Sequence, residues 1–139
     1  DLPLPEAATV AYEDRAAAGR AIQEPLYGDE VEQVFSALPE PFNRVVPQLL
    51  TAGAFGEFET RGGLDVAMRE LISLVAIAAL GVAAQMRPHV AGAIRAGNSR
   101  QKVAAALVQV LPYIGGPYAL SGLVLVATYD ENDSSEAYR

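Results

Sequence analysis

RELISLVAIAALGVAAQMRPH, residues Arg69–His89, is the stretch that decides how this chain folds. It opens on the pair Arg69-Glu70, continues as an uncharged, largely apolar run from Leu71 to Met86, and closes on Arg87-Pro88-His89, which holds the only histidine of the sequence. A continuous apolar run this long, without two-residue alternation, reads as buried helix, because a strand rarely exceeds about ten residues. Gly81 interrupts or ends that helix.

The same reading extends outward in both directions. Asp65 stands where a side chain caps the helix that runs to about Leu80. Before it, Glu57–Gly63 (EFETRGG) is a charged, glycine-rich loop. Phe42, Val45, Val46, Leu49, Leu50 and Phe55 recur at helical spacing, with Pro41 at the helix start and Pro47 either in the first turn or producing a kink. Asp29 caps a short helix through Leu38 on which Val31, Val34, Phe35 and Leu38 share one face. Pro25 and Gly28 break the chain. A helix over Glu6–Gln23 precedes them, with a shallow stripe of Val10, Ala17 and Ala21, and Asp1–Pro5 is a loose start.

Toward the C-terminus, Pro88 reads as the first position of a helix ending at Gly97. Ser99 caps the next helix, whose Val103, Leu107 and Val110 stripe precedes Pro112. The last helix starts around Gly115–Pro117 and runs toward Tyr129, followed by a polar tail. No segment alternates like a strand. The expected fold class is all-α, a small helical domain over residues 26–129 flanked by an N-terminal segment, 1–25, and a flexible tail, 130–139.

Composition narrows the function. At 139 residues the chain is one domain, and with 51% hydrophobic and 19% charged residues a lone globule would struggle to cover its apolar surface. A homo-oligomer follows. The net charge of -7 argues against nucleic acid and against anionic membrane surfaces as partners. Val103–Tyr129 carries no charge and is long enough to span a bilayer, but Pro112 and Gly115-Gly116-Pro117 interrupt it, so helices buried against other subunits explain it better and no membrane partner is expected. Cysteine is absent, which removes disulfides, thiolate metal sites and thiol redox chemistry. One histidine and no cysteine do not make a closed zinc site within a chain, so no metal is expected. A cytoplasmic protein is the expectation.

Several motifs in sequence then carry a resemblance. Arg69-Glu70-Leu71-Ile72, Ala79-Leu80-Gly81, His89 with Ala93 and Ala96-Gly97, and Tyr113-x-Gly115-x-Pro117, preceded by Arg61-Gly62-Gly63-Leu64-Asp65, together resemble the carboxymuconolactone decarboxylase family over roughly Leu26–Ala127. The resemblance implies the helical fold of the alkylhydroperoxidase D type and assembly as a trimer or a hexamer. In the peroxidase-like branch a glutamate, a Cys-x-x-Cys pair and a histidine form the site. Glu70 and His89 stand at the glutamate and histidine, whereas Val82 and Gln85 stand where the cysteines would be, so the dithiol mechanism is excluded.

The decarboxylase branch implies different chemistry. Carbon dioxide leaves an unsaturated lactone, electrons pass into the lactone carbonyl, and the dienolate is reprotonated on carbon. That requires cations for carboxylates, a proton donor and no cofactor, because the conjugated lactone is the electron sink. Glu70 and His89 are the candidate catalytic residues. Arg69, Arg87, Arg61 and Tyr113 are the candidate substrate-binding residues. Each has a plainer reading: Arg69 pairing with Asp65, Glu70 favouring a helix dipole, His89 in a structural role, Arg61 and Arg87 solvated, Tyr113 packing. His89, behind Pro88 at a helix N-terminus, would have its neutral form favoured. Gln101 and Lys102 depart from the acidic residues that commonly follow the cap at Ser99, which suggests a divergent subgroup.

The expected function is a cofactor-independent carboxy-lyase, or a related proton-transfer enzyme, on a small unsaturated lactone or cyclic acid. The alternatives are a tailoring enzyme acting on a less charged cyclic substrate and a non-catalytic oligomeric ligand-binding protein. Convergent arginines favour the first, an apolar pocket retaining His89 the second, a filled cavity the third.

Overall fold

The computed structural model describes residues 9–130. The loose start at Asp1–Pro5, the first residues of the expected N-terminal helix and all but the first residue of the expected tail lie outside the described residues. Among the described residues the regular structure is helical throughout: a 3-10 turn at Tyr12–Asp14, then α1 (Arg15–Tyr27), α2 (Glu30–Phe35), α3 (Phe42–Leu49), a π-helical segment (Leu50–Glu59), α4 (Val66–Leu80), α5 (Ala83–Arg95), α6 (Arg100–Ile114) and α7 (Gly116–Thr128). The all-α expectation therefore holds. No helix is long and apolar enough to cross a membrane among these residues.

Where helix boundaries differ from those expected, proline is the usual reason. The first helix passes through Pro25, α5 begins five residues before Pro88, and α6 passes through Pro112 to Ile114. A proline inside a helix deprives the carbonyl four residues earlier of its donor, at a cost that depends on whether water replaces it. Those residues are Ala21, Ala84 and Val108, and all three are exposed. Positive-φ glycines do end helices: Gly28 (φ 53°) after α1, Gly81 (φ 68°) after α4, Gly97 (φ 103°) beyond α5 and Gly115 (φ 86°) between α6 and α7.

The described chain divides into two compact units between Val66 and Ala67. In the first, α1 crosses the π-helical segment at two glycines. A Cβ on Gly19 would collide with the Thr51 carbonyl and lie 2.7 Å from Gly56 N, and one on Gly56 would collide with the Arg15 carbonyl. The buried face of α1 is therefore Gly19, Gln23, Leu26 and Tyr27, while Ala17 and Ala21, two members of the expected stripe, are exposed. The close approach at Gly19, rather than the alanine stripe, sets that face. Tyr27 packs edge-on against Phe55 at 5.7 Å between ring centres, and the Thr51 hydroxyl lies 2.6 Å from Gln23 Oε1 and 3.0 Å from the Pro47 carbonyl.

Glu57–Glu59, expected in a loop, instead complete the π-helical segment. Glu57 is held from both sides, by Arg15 and by Arg61. The second helix stops at Phe35 rather than Leu38, and of its expected stripe only Val31 is buried. Asp29 gives its carboxylate to Arg20 instead of capping.

In the second unit α4 and α5 are joined through the Gly81 turn, and Leu71, Leu74, Ala78, Val90, Ala93, Val103, Leu107 and Val126 of α4–α7 form one core. Gly122 of α7 admits Leu107 of α6 and Met86 of α5, whose side-chain ends would lie 2.9 and 3.2 Å from a Cβ there. Ser99 caps α6 as expected, its hydroxyl accepting from Lys102 N at 3.1 Å. Replacing Ser99 by alanine removes that acceptor and is expected to cost about 1 kcal/mol. Chemical denaturation should read this as a lower midpoint at unchanged slope.

Candidate functional site

Glu70 and His89 reach each other from two helices of the second unit. In α4, Glu70 shares its face with Leu74, four residues on, so the packing that buries Leu74 completely also draws the carboxylate inward and leaves it 3% exposed. In α5, His89 lies between the buried Pro88 and Val90 and keeps about a quarter of its side chain exposed. His89 Nδ1 stands 3.7 Å from Glu70 Oε2. That is ion-pair distance, and slightly longer than a direct hydrogen bond.

One expectation about His89 is corrected. It is the seventh residue of α5, not a residue of the first turn, because the alanine-rich start at Ala83 and Ala84 carries the helix back to the Gly81 turn. The field of a helix N-terminus falls off within its first turn, so it does not govern this imidazole. The structure sets a Glu70 carboxylate oxygen beside it.

The candidate substrate-binding residues are dispersed. Arg69, partly buried, precedes Glu70 on α4, and Arg87, partly buried, sits two residues before His89. Two residues along a helix are about 200° around its axis, so Arg87 and His89 leave α5 on nearly opposite sides. Tyr113 is 80% exposed near the end of α6, whereas Tyr118 of α7 lies over the Gly81 turn, where a Cβ on Gly81 would be 2.7 Å from its ring. Arg61 belongs to the first unit, bonded to Glu57 Oε1 at 2.8 Å and stacked on Phe58 at 4.9 Å. Among the described residues no group of three or more His, Cys, Asp or Glu side chains is gathered so as to hold a metal ion.

Two features were not foreseen from the sequence. The first unit contains a cleft of about 1020 Å³ whose walls include Arg15, Arg20, Arg44, Val45, Leu49 and Thr51. Each of its guanidinium groups is already engaged by a carboxylate: Arg15 by Glu57, Arg20 by Glu32 and Asp29, Arg44 by Glu40. The hydrogen bond and charge of Glu32 raise the Arg20 pKa above its ordinary value. The second feature is Asn98, 4% exposed, whose side-chain amide nitrogen donates to the Ala67 carbonyl at 2.7 Å and to the Ala93 carbonyl at 2.9 Å. Its position next to Gly97 was the only signal in the sequence, since an asparagine after a helix-ending glycine ordinarily reads as part of a turn.

Comparison with known proteins agrees with the helical fold. A sequence model described as the carboxymuconolactone decarboxylase family matches residues 45–128, from within α3 to the end of α7. No curated protein matches the chain.

Proposed function

Because more than half of the chain matches that model, the chain belongs to the carboxymuconolactone decarboxylase family, and from this premise we propose that it is a cofactor-independent proton-transfer enzyme using Glu70 and His89 on a small unsaturated lactone or cyclic acid. The observation that carries the reading is the approach of His89 Nδ1 to a buried Glu70 oxygen, 3.7 Å away, with the imidazole itself partly open to solvent. With Nδ1 turned to the carboxylate, Nε2 is the nitrogen on the far side of the ring. A proton on Nε2 is delivered to a carbanionic carbon, and the Glu70 charge stabilises the imidazolium that donates it. Thiol peroxidase chemistry is outside the reach of a chain without cysteine.

In the decarboxylase form of this reaction, the bond from the ring carbon to the substrate carboxylate breaks and its electron pair moves through the double bond to the lactone carbonyl oxygen. Carbon dioxide leaves. The dienolate then takes the His89 proton on carbon, and water returns a proton to the imidazole. Following the ultraviolet absorbance of a purified carboxymuconolactone on adding the protein tests this directly. Protein-dependent loss of the conjugated chromophore supports it; no loss over many enzyme equivalents rejects that substrate.

A second reading, a tailoring enzyme for a less charged cyclic substrate, is favoured by the dispersal of the arginines. Arg61 is committed to Glu57, Arg87 leaves α5 away from His89, and the residues flanking the pair include Leu71, Leu74 and Val90. An uncharged unsaturated lactone turned over in preference to the carboxylated one would select it.

The enzyme is proposed to work as a homo-oligomer, a trimer or a hexamer. Large apolar side chains left outside the core support this, among them Leu49 (67% exposed), Leu80 (76%) and Val124 (60%). Light scattering at micromolar concentration should return a multiple of the chain mass, and a stable monomer would contradict the assembly.

A further inference from the structure

We propose that Asn98 is a positioning residue that sets the distance between Glu70 and His89. The proposal rests on the reading of that pair as the proton-handling site, and it draws on hydrogen bonds outside the pair. Ala67 is three residues before Glu70 and Ala93 is four residues after His89, so each lies one helical turn from its member of the pair and on nearly the same face. The Asn98 amide nitrogen joins the two carbonyls, at 2.7 and 2.9 Å, and thereby ties the first turn of α4 to the last turns of α5.

The backbone of Asn98 strengthens the same point, because its own N–H also donates to the Ala93 carbonyl, at 3.2 Å. That carbonyl is among the last of α5, where a helix has no donor of its own to offer. Asn98 is almost wholly buried, and its Oδ1 is buried without a hydrogen-bond partner. An unsatisfied acceptor of this kind costs stability. The side chain is thus held in a conformation that satisfies the two carbonyls at the expense of its own oxygen, as expected if bridging α4 to α5 is its role. At the other end of the two helices the link is the covalent Gly81 turn. Between the Gly81 turn and the Asn98 bridge, Glu70 and His89 sit near the bridged end, so loosening the bridge opens the gap between them first.

The single histidine makes the test independent of substrate. Ring nitrogen chemical shifts of His89 report which nitrogen carries the proton in the neutral form, and a carboxylate near Nδ1 favours the Nδ1–H tautomer. In the full-length protein, Glu70→Gln is expected to lower the Nδ1–H fraction, and Asn98→Ala to lower it by at least half as much, with helical circular dichroism unchanged. Asn98→Ser, which keeps one donor, should recover part of the loss. A folded Asn98→Ala protein with the wild-type tautomer ratio overturns the proposal, even if its melting temperature falls. Should Asn98→Ala not fold, Asn98→Ser decides on the same readout: a wild-type ratio overturns, a reduced Nδ1–H fraction supports. Turnover separates the two ideas. If the Asn98 variants shift the tautomer while Glu70→Gln and His89→Ala leave turnover intact, positioning stands and the catalytic reading falls.

Discussion

Replacing His89 by alanine is expected to lower turnover of a verified substrate by roughly 10²- to 10⁴-fold, the usual contribution of a positioned acid or base. The expectation follows from the chemistry the site has available. A carbanionic intermediate must take a proton on carbon, histidine is the residue type best suited to exchange protons near neutrality, and His89, the only one in the sequence, stands 3.7 Å from a buried carboxylate. Because the imidazole is on the partly open side of α5 and outside the buried core, its removal should leave the helical spectrum and the assembly state unchanged. Glu70→Gln keeps the shape of the buried side chain and removes its charge. It should lower turnover in the same direction by a smaller factor, since water can still protonate the imidazole, though an imidazolium without its carboxylate is a costlier intermediate. The measurement is kcat at saturating substrate for both variants. Near wild-type values in both would make the pair a structural contact and end the catalytic assignment.

A large loss of stability is expected from Gly56→Ala. The new methyl group would collide with the Arg15 carbonyl, and Arg15 Cβ would be 3.0 Å away. Both sides of this contact are backbone or close to it, so no rotamer change relieves it; α1 and the π-helical segment must move apart. Separation would loosen the Tyr27–Phe55 contact and the buried Gln23–Thr51 hydrogen bond that lie along the same crossing. Overpacking of this kind costs about 3 kcal/mol. Gly53→Ala supplies the matched control: it lies in the same segment, at a φ open to any residue, and a Cβ there meets nothing within 4 Å. That substitution should be neutral or slightly stabilising, by up to about 1 kcal/mol, from helix propensity alone. Thermal melting of the two variants side by side checks the argument. Equal melting temperatures would mean that the helices do not cross as closely as the glycines imply.

The helical class, the Gly81 and Gly97 stops, the Ser99 cap and the family were legible in the sequence, because each depends on local periodicity, on a positive φ that glycine adopts at little cost, or on a side chain reaching a donor three residues away. Glu70 and His89 were legible as a motif. Gly81 as a turn that could bring their two helices together was legible too, but the close approach of the two side chains was not. It is produced when the Gly81 turn folds α5 back on α4 and the core formed by Leu74, Val90 and Ala93 draws the two faces together, which involves contacts between residues far apart along the chain. The same limit explains the misplaced boundaries. Whether Pro25 or Pro112 ends a helix, and whether Pro88 begins one, depends on the solvent exposure of Ala21, Val108 and Ala84, and exposure is a property of the packed molecule. It also explains why Asn98 went unnoticed, since its two acceptors are 31 and 5 residues away. Local propensity thus determined which segments are helical and what chemistry they bring, while tertiary packing alone decided which faces are buried, where the prolines fall within the helices, and which side chains stand within reach of one another.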